Sequence, residues 1–158
     1  MSCTTQPDSV VLERPADQGY MVPGRTPAVL CIDDDLHVSE VIQDRLEAYE
    51  VKLLKAFFGT QGIWMAVARK PDVIITDLRM PQGDGSTVIE CLKRNMQTAA
   101  IPIIVLTALH EPGLQRHLEQ IGASSYLTKP IHFNDLLREL ARHIEIRPKP
   151  SEEPFEDE

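Results

Sequence analysis

A chain of 158 residues, 42% of them hydrophobic, is long enough to bury one substantial core and leaves little room for a second. A net charge of −8, with no run of Lys or Arg, argues against a dedicated nucleic-acid surface, which needs a basic footprint to displace counterions. No apolar stretch approaches the ~18 residues of a membrane span, and the N-terminus lacks the basic start and apolar segment of a secretory signal; a cytoplasmic protein is expected.

Residues 1–26 hold Pro7, Pro15 and Pro23 among polar residues without periodicity, and read as a flexible tail. The first element is the apolar run from Ala28 to Ile32, a strand buried on both faces that ends in Asp33, Asp34 and Asp35. From Leu36 the period lengthens: Leu36, Val38, Val41, Ile42, Leu46 and Tyr49 form the stripe of an amphipathic helix, with Asp35 as its cap. Val51 to Phe57 returns to strand character, and Gly59 to Lys70 reads as a helix stopped before Pro71. Val73 to Thr76 is a third strand running into Asp77. Asp84 to Met96 is a third helix with Val88, Ile89 and Leu92 inward.

Pro102 to Thr107 is a strand with proline at its first position, where no ladder bond is lost. Glu111 to Ile121 reads as a helix closed by Gly122, and Ser124 to Thr128 as a short fifth strand. After Pro130, Leu136, Leu137, Leu140 and Ile144 mark a last helix starting near His132 or Asn134. Residues 147–158 combine three prolines with five acids and read as an acidic tail or linker stump, leaving 27–146 as the folded domain.

Strand and helix alternate five times, which demands a parallel sheet covered on both faces and joined by right-handed crossovers. A flavodoxin-like (βα)5 three-layer sandwich with strand order 2-1-3-4-5 is the expected arrangement, and its working site lies beyond the carboxyl ends of the strands. Those ends carry Asp33 and Asp34, Asp77, Thr107 and Lys129. Crowded carboxylates raise at least one pKa unless a cation is bound, and hard oxygen ligands in a shallow site favour Mg²⁺, with Mn²⁺ as a substitute. Lys129 and Thr107 add the charge and hydroxyl that hold a phosphoryl oxygen. A lone Asp after a strand is often only a helix cap; the coincidence of these positions at one edge is what points to chemistry.

The segments VLCIDDD, PDVIITDLRMPQGDG, IPIIVLTA and ASSYLTKP, in this order and at these spacings, closely resemble the receiver domains of bacterial response regulators over about residues 27–146. The resemblance implies a phosphoacceptor rather than a turnover enzyme. Asp77 becomes the acceptor. Asp33 and Asp34, with Asp77 and the backbone carbonyl of Arg79, become the metal ligands. Thr107 becomes the switch hydroxyl and Lys129 the phosphate-binding lysine, aimed by a cis bond to Pro130. Tyr126 becomes the aromatic that turns inward, unless it is only core. The partners implied are a histidine kinase or histidine phosphotransfer protein, and a downstream protein target or missing output domain; no direct nucleic-acid or membrane contact is expected. Phosphorylation would be self-catalysed and self-limiting, remodelling the face of helix 4, strand 5 and helix 5. Arg79 and Leu109 flank the path of attacking water; Arg79 is either a lifetime determinant or a solvated surface arginine.

Other residues carry weaker signals. Cys31 and Cys91 read as buried small hydrophobes, and with Cys3 they offer neither a disulfide framework nor a zinc site. His37, His110, His117, His132 and His143 lack metal spacing. Trp64 and Met65 adjoin on one helix and cannot both face the core; one is left for a partner surface unless the Trp is partly buried. Two other functions compete. A haloacid-dehalogenase-type phosphatase would use the D-x-D start at Asp33, but His37 stands where Thr or Val is expected, the paired acids after the lysine are missing, and Asp77 is unexplained. A receiver fold that docks without phosphorylation would not need the intact site.

Overall fold

The computed structural model describes residues 24–80 and 84–151. The sequence-based tail up to residue 23, residues 81–83 and the acidic end from 152 lie outside the described residues. Ten elements alternate: β1 (Ala28–Ile32), α1 (Leu36–Leu46), β2 (Lys52–Ala56), α2 (Gly59–Arg69), β3 (Val73–Asp77), α3 (Gly85–Arg94), β4 (Ile103–Thr107), α4 (Leu114–Ile121), β5 (Ser125–Thr128) and α5 (Phe133–Ala141). The strands form one parallel sheet in the order β2-β1-β3-β4-β5, the expected flavodoxin-like arrangement.

The period-two alternation of the strands divides the core in two. Leu30, Ile32, Ile74, Ile103 and Val105 pack on one face with Ala66 of α2, Val88, Ile89 and Leu92 of α3, and Leu118 of α4. Val29, Cys31, Ile75, Ile104 and Leu106 pack on the other with Ile42 and Leu46 of α1 and Leu136, Leu140 and Ile144 of α5. Central strands β1, β3 and β4 are buried along their whole length, which is why they read as unbroken apolar runs.

Several boundaries differ from the sequence reading for local reasons. Helix α4 begins at Leu114 rather than Glu111, because Gly113 adopts a left-handed φ of 80° at the N-cap. Cys91 is exposed, correcting its reading as a buried hydrophobe: α3 turns Val88, Ile89 and Leu92 inward and leaves Cys91 on the outer side. Cys31 is buried, and burial pushes its thiol up to about 12. Trp64 is 67% exposed, while Met65 packs against the core.

Both ends of the domain are tied down. The Ala28 N–H donates to Asp72 Oδ2 at 2.8 Å, and Arg25 pairs with the same carboxylate at 3.3 Å. Past α5, the Glu50 N–H donates to the Arg147 carbonyl at 2.8 Å and the Lys149 N–H to the Ala48 carbonyl at 2.9 Å. Tyr49 and Pro148 thus form an antiparallel bridge, so the backbone stays paired through residue 149, beyond the point where composition turns tail-like.

Asp84 caps α3 by accepting from the Ser86 N–H at 3.2 Å, and the Gly85 N–H donates to the Leu78 carbonyl at 2.8 Å. A Cβ on Gly85 would stand 2.6 Å from Leu78 Cα and closer still to the Asp77 carbonyl oxygen. Backbone cannot rotate away as a side chain can. Gly85→Ala is therefore expected to cost about 1–3 kcal/mol of overpacking strain despite alanine's better helix propensity. The check is a lower urea midpoint at unchanged m-value; an unshifted midpoint would mean that α3 moves aside freely.

Candidate functional site: a carboxylate cluster bridged by a lysine

The carboxyl ends of β1, β3, β4 and β5 meet at one edge because these strands are contiguous in the sheet. Asp33 follows β1; its backbone N–H donates to the Ala56 carbonyl at 3.0 Å, and its Oδ1 accepts from the Asp35 N–H at 2.9 Å. Asp35 caps α1 by accepting from the His37 N–H at 2.9 Å, as its position implied. Asp34, between them, is exposed. Asp77 ends β3, and its Oδ1 accepts from the backbone N–H groups of Leu78 at 2.7 Å and Arg79 at 3.3 Å. Carboxylate oxygens of Asp33, Asp34 and Asp77 lie within 4.8 Å of one another.

Lys129 reaches into this cluster. Its Nζ donates to Asp33 Oδ2 at 2.9 Å and to Asp77 Oδ2 at 3.1 Å. The Lys129 backbone N–H donates to the Thr107 carbonyl at 2.8 Å, and the Lys129–Pro130 peptide is cis, as the resemblance implied. Thr107 is fully buried at the end of β4, its Oγ1 accepting from the Leu109 N–H at 3.1 Å. Tyr126 is half-buried on β5, packed against the core face shared by α2, α3 and α4.

Burial pushes the Asp33 carboxyl above its ordinary value; hydrogen bonds from Asp35 and Lys129 offset this only in part, and the Asp77 charge adds to it. Burial works against the Lys129 ammonium, but its hydrogen bonds and attraction to Asp33 and Asp77 outweigh it, so its pKa is raised. The site is thus short of positive charge. Three close carboxylates share one ammonium, and the donor set, all carboxylate oxygen, suits a hard divalent cation.

Asp33, Asp34, Asp77, Thr107 and Lys129 all follow or end strands at this edge, whereas Tyr126 lies inside β5, paired with Val105. Sequence reading overlooked Glu111. Its Oε1 lies 3.6 Å from Arg79 Nη2, across the mouth from the loop after β4 to the loop after β3.

The chain belongs to the response regulator receiver domain family, whose model matches residues 29–141. It is 38% identical over 111 residues to the DNA-binding dual master transcriptional regulator RpaA of a Synechocystis strain, a match covering 70% of this chain and 46% of that protein. The chain spans about half the length or less of the first curated relatives it matches, at 46%, 7% and 47% of their lengths. Among solved structures it resembles the Vibrio cholerae chemotaxis protein CheY4, with a TM-score of 0.71 and 26% identity, covering 76% of this chain and 100% of that one. It also resembles the Mn²⁺-bound form of the response regulator Rcp1, with a TM-score of 0.60 and 25% identity, covering 72% of this chain and 88% of that one. Membership makes the chain a phosphoacceptor module of two-component signalling. No helix among the described residues is long and apolar enough to cross a membrane.

Proposed function

We propose that Asp77 accepts a phosphoryl group from a phosphohistidine of a kinase or phosphotransfer protein in a Mg²⁺-dependent, self-catalysed reaction. The observation that carries this reading is the bridge from Lys129 Nζ to Asp33 and Asp77, in a cluster that Asp34 completes. Asp33, Asp34, Asp77 and the Arg79 carbonyl would hold the cation, which when bound neutralises charge on the transferring phosphoryl group. The Rcp1 relative with bound Mn²⁺ supports a divalent ion of this kind.

The remaining chemistry belongs to the chain. Backbone N–H groups of Leu78 and Arg79 fix Asp77 Oδ1, leaving the carboxylate oriented before the donor arrives. Lys129, already bonded to Asp77 Oδ2, is placed to pair with a phosphoryl oxygen once the charge there grows. Thr107 donates to another phosphoryl oxygen by giving up its contact with the Leu109 N–H. That displacement opens space beside Tyr126 and remodels the face of α4, β5 and α5. Moving such an equilibrium from mostly off to mostly on takes about 5 kcal/mol of differential stabilisation. Hydrolysis of the acyl phosphate resets the switch. Output passes to a downstream protein or to an output domain outside this sequence.

Incubation with acetyl phosphate and Mg²⁺ is expected to add the mass of one phosphoryl group to the intact protein, and incubation with the same donor in EDTA is expected to add none. Uptake that is equally fast in EDTA would overturn the metal dependence.

A further inference from the structure

We propose that the outer face of α2 around Trp64, with the cations gathered at its carboxyl end, is a docking surface for an acidic segment bearing an aromatic residue, and that its occupant is residues 152–158 of this chain. The inference stands apart from the acceptor role of Asp77, because the cations lie at the opposite end of the sheet. Lys52 opens β2 opposite Ala28 of β1, and Val29 stands opposite Val73, the first residue of β3. Neighbouring strands lie about 4.8 Å apart, so the starts of β2 and β3 are within roughly 10 Å of each other. Arg25 precedes β1, and Arg69 and Lys70 close α2 just ahead of β3. All four cations are exposed. Asp72 lies among them but is already held by Arg25 at 3.3 Å and by the Ala28 N–H at 2.8 Å. Among the described residues, no ion pair takes Lys52, Arg69 or Lys70.

The apolar half of the surface adjoins this corner. Trp64, the chain's single tryptophan, is 67% exposed, and Ala68 follows it one turn on, also exposed. At a rise of about 1.5 Å per residue, the indole sits within roughly 8 Å of Arg69 along the helix. Helix α2 cannot roll to bury it. Gly62 and Ala66 face the core, and a Cβ on Gly62 would already collide with three carbons of Ile32. An indole left in water beside uncompensated cations suits a ligand that brings an aromatic ring and carboxylates together.

Residues 152–158 have that composition: five acids, no base, and Phe155 between them. The backbone ahead of them is delivered to the same end of the sheet, where the Lys149 N–H donates to the Ala48 carbonyl at 2.9 Å. Ala48 precedes Lys52 by four residues, a separation of at most about 14 Å. The nine residues from Lys149 to Glu158 span up to about 31 Å, so their carboxylates reach the cations and Phe155 reaches α2. A tether this short supplies an effective concentration of about a millimolar, which populates a contact too weak to form between separate molecules.

Trp64 reports its own cover. Its fluorescence is quenched with acrylamide, a neutral probe, in the full chain and in two full-length variants matched by circular dichroism. One variant has a neutral, ring-free end: Phe155→Ala with Glu152→Gln, Glu153→Gln, Glu156→Gln, Asp157→Asn and Glu158→Gln. The other lacks the cations: Lys52→Ala, Arg69→Ala and Lys70→Ala. The quenching constant is expected to rise about twofold in each, as loss of a contact populated about half the time would give. Wild type in about 1 M NaCl, where screening acts within about 3 Å, is expected to move the same way. Equal quenching in wild type and the neutral-end variant overturns the proposal. So does shielding that vanishes on dilution, which assigns the surface to a second copy. Shielding lost with the cations but kept by the neutral-end variant assigns it to another segment, and overturns the proposal too.

Discussion

Lys129→Ala is expected to slow phosphorylation of Asp77 by about 10²–10³-fold, the loss typical when one preorganised donor to a charged transition state is removed. The Lys129 ammonium is bonded to two carboxylates of the cluster, and truncation leaves both without this cationic partner. A rate within a few-fold of wild type, measured by the appearance of the phosphorylated mass, would show that the lysine is structural only. The same variant carries a stability signature. Because the pKa of Lys129 is raised above 10.5 in the fold, its contribution is fully present below that value and is lost only as pH rises through the folded pKa. Wild type therefore has the whole contribution at neutral pH, and Lys129→Ala gives up roughly 1.5–3 kcal/mol, the worth of hydrogen bonds to charged groups.

Asp33 sets how that loss varies with pH. Burial already raises its pKa, so the folded state binds more protons there than the unfolded state does, and stability falls as pH rises through the shifted value. Without Lys129 the carboxyl loses the hydrogen bond and charge that lower its pKa, so it moves further up. The stability gap between variant and wild type is accordingly expected to narrow as pH falls from neutrality, as read by denaturant midpoints. A gap that widens in acid would mean that Asp33 is not the group left unpaired.

Much of this site was legible before any coordinate. The strands β1, β3 and β4 are apolar runs that stop at Asp33, Asp77 and Thr107, and sheet order alone brings their ends together. Lys129 joins them because β5 borders β4 and the Lys129 N–H is held by the Thr107 carbonyl. What escaped depends on distances between loops or on backbone alone. The Arg79–Glu111 pair spans two loops, and nothing in the spacing of those residues marks it. Pairing of 147–149 with 48–50 uses main-chain groups, so the proline-rich composition pointed to a tail instead. Cys91 misled because a small apolar residue beside Leu92 fits either side of a helix, and the helix boundary at Leu114 turned on the conformation of Gly113.

Asp77→Asn has the largest expected effect, a complete loss of phosphoryl uptake. The amide keeps the size of the carboxylate, and its oxygen can still accept from the Leu78 and Arg79 N–H groups, so the β3 terminus should fold as before. It lacks the anionic oxygen that attacks phosphorus. Asp33, the nearest alternative nucleophile, is buried and committed through both oxygens, to the Asp35 N–H and to Lys129.

The decisive measurement is intact mass spectrometry of wild type and Asp77→Asn side by side, after incubation with acetyl phosphate and Mg²⁺ under conditions where both are folded. A single phosphoryl adduct on wild type and none on the variant is the predicted result. An adduct of equal stoichiometry on Asp77→Asn would place the acceptor elsewhere and contradict the role assigned to Asp77.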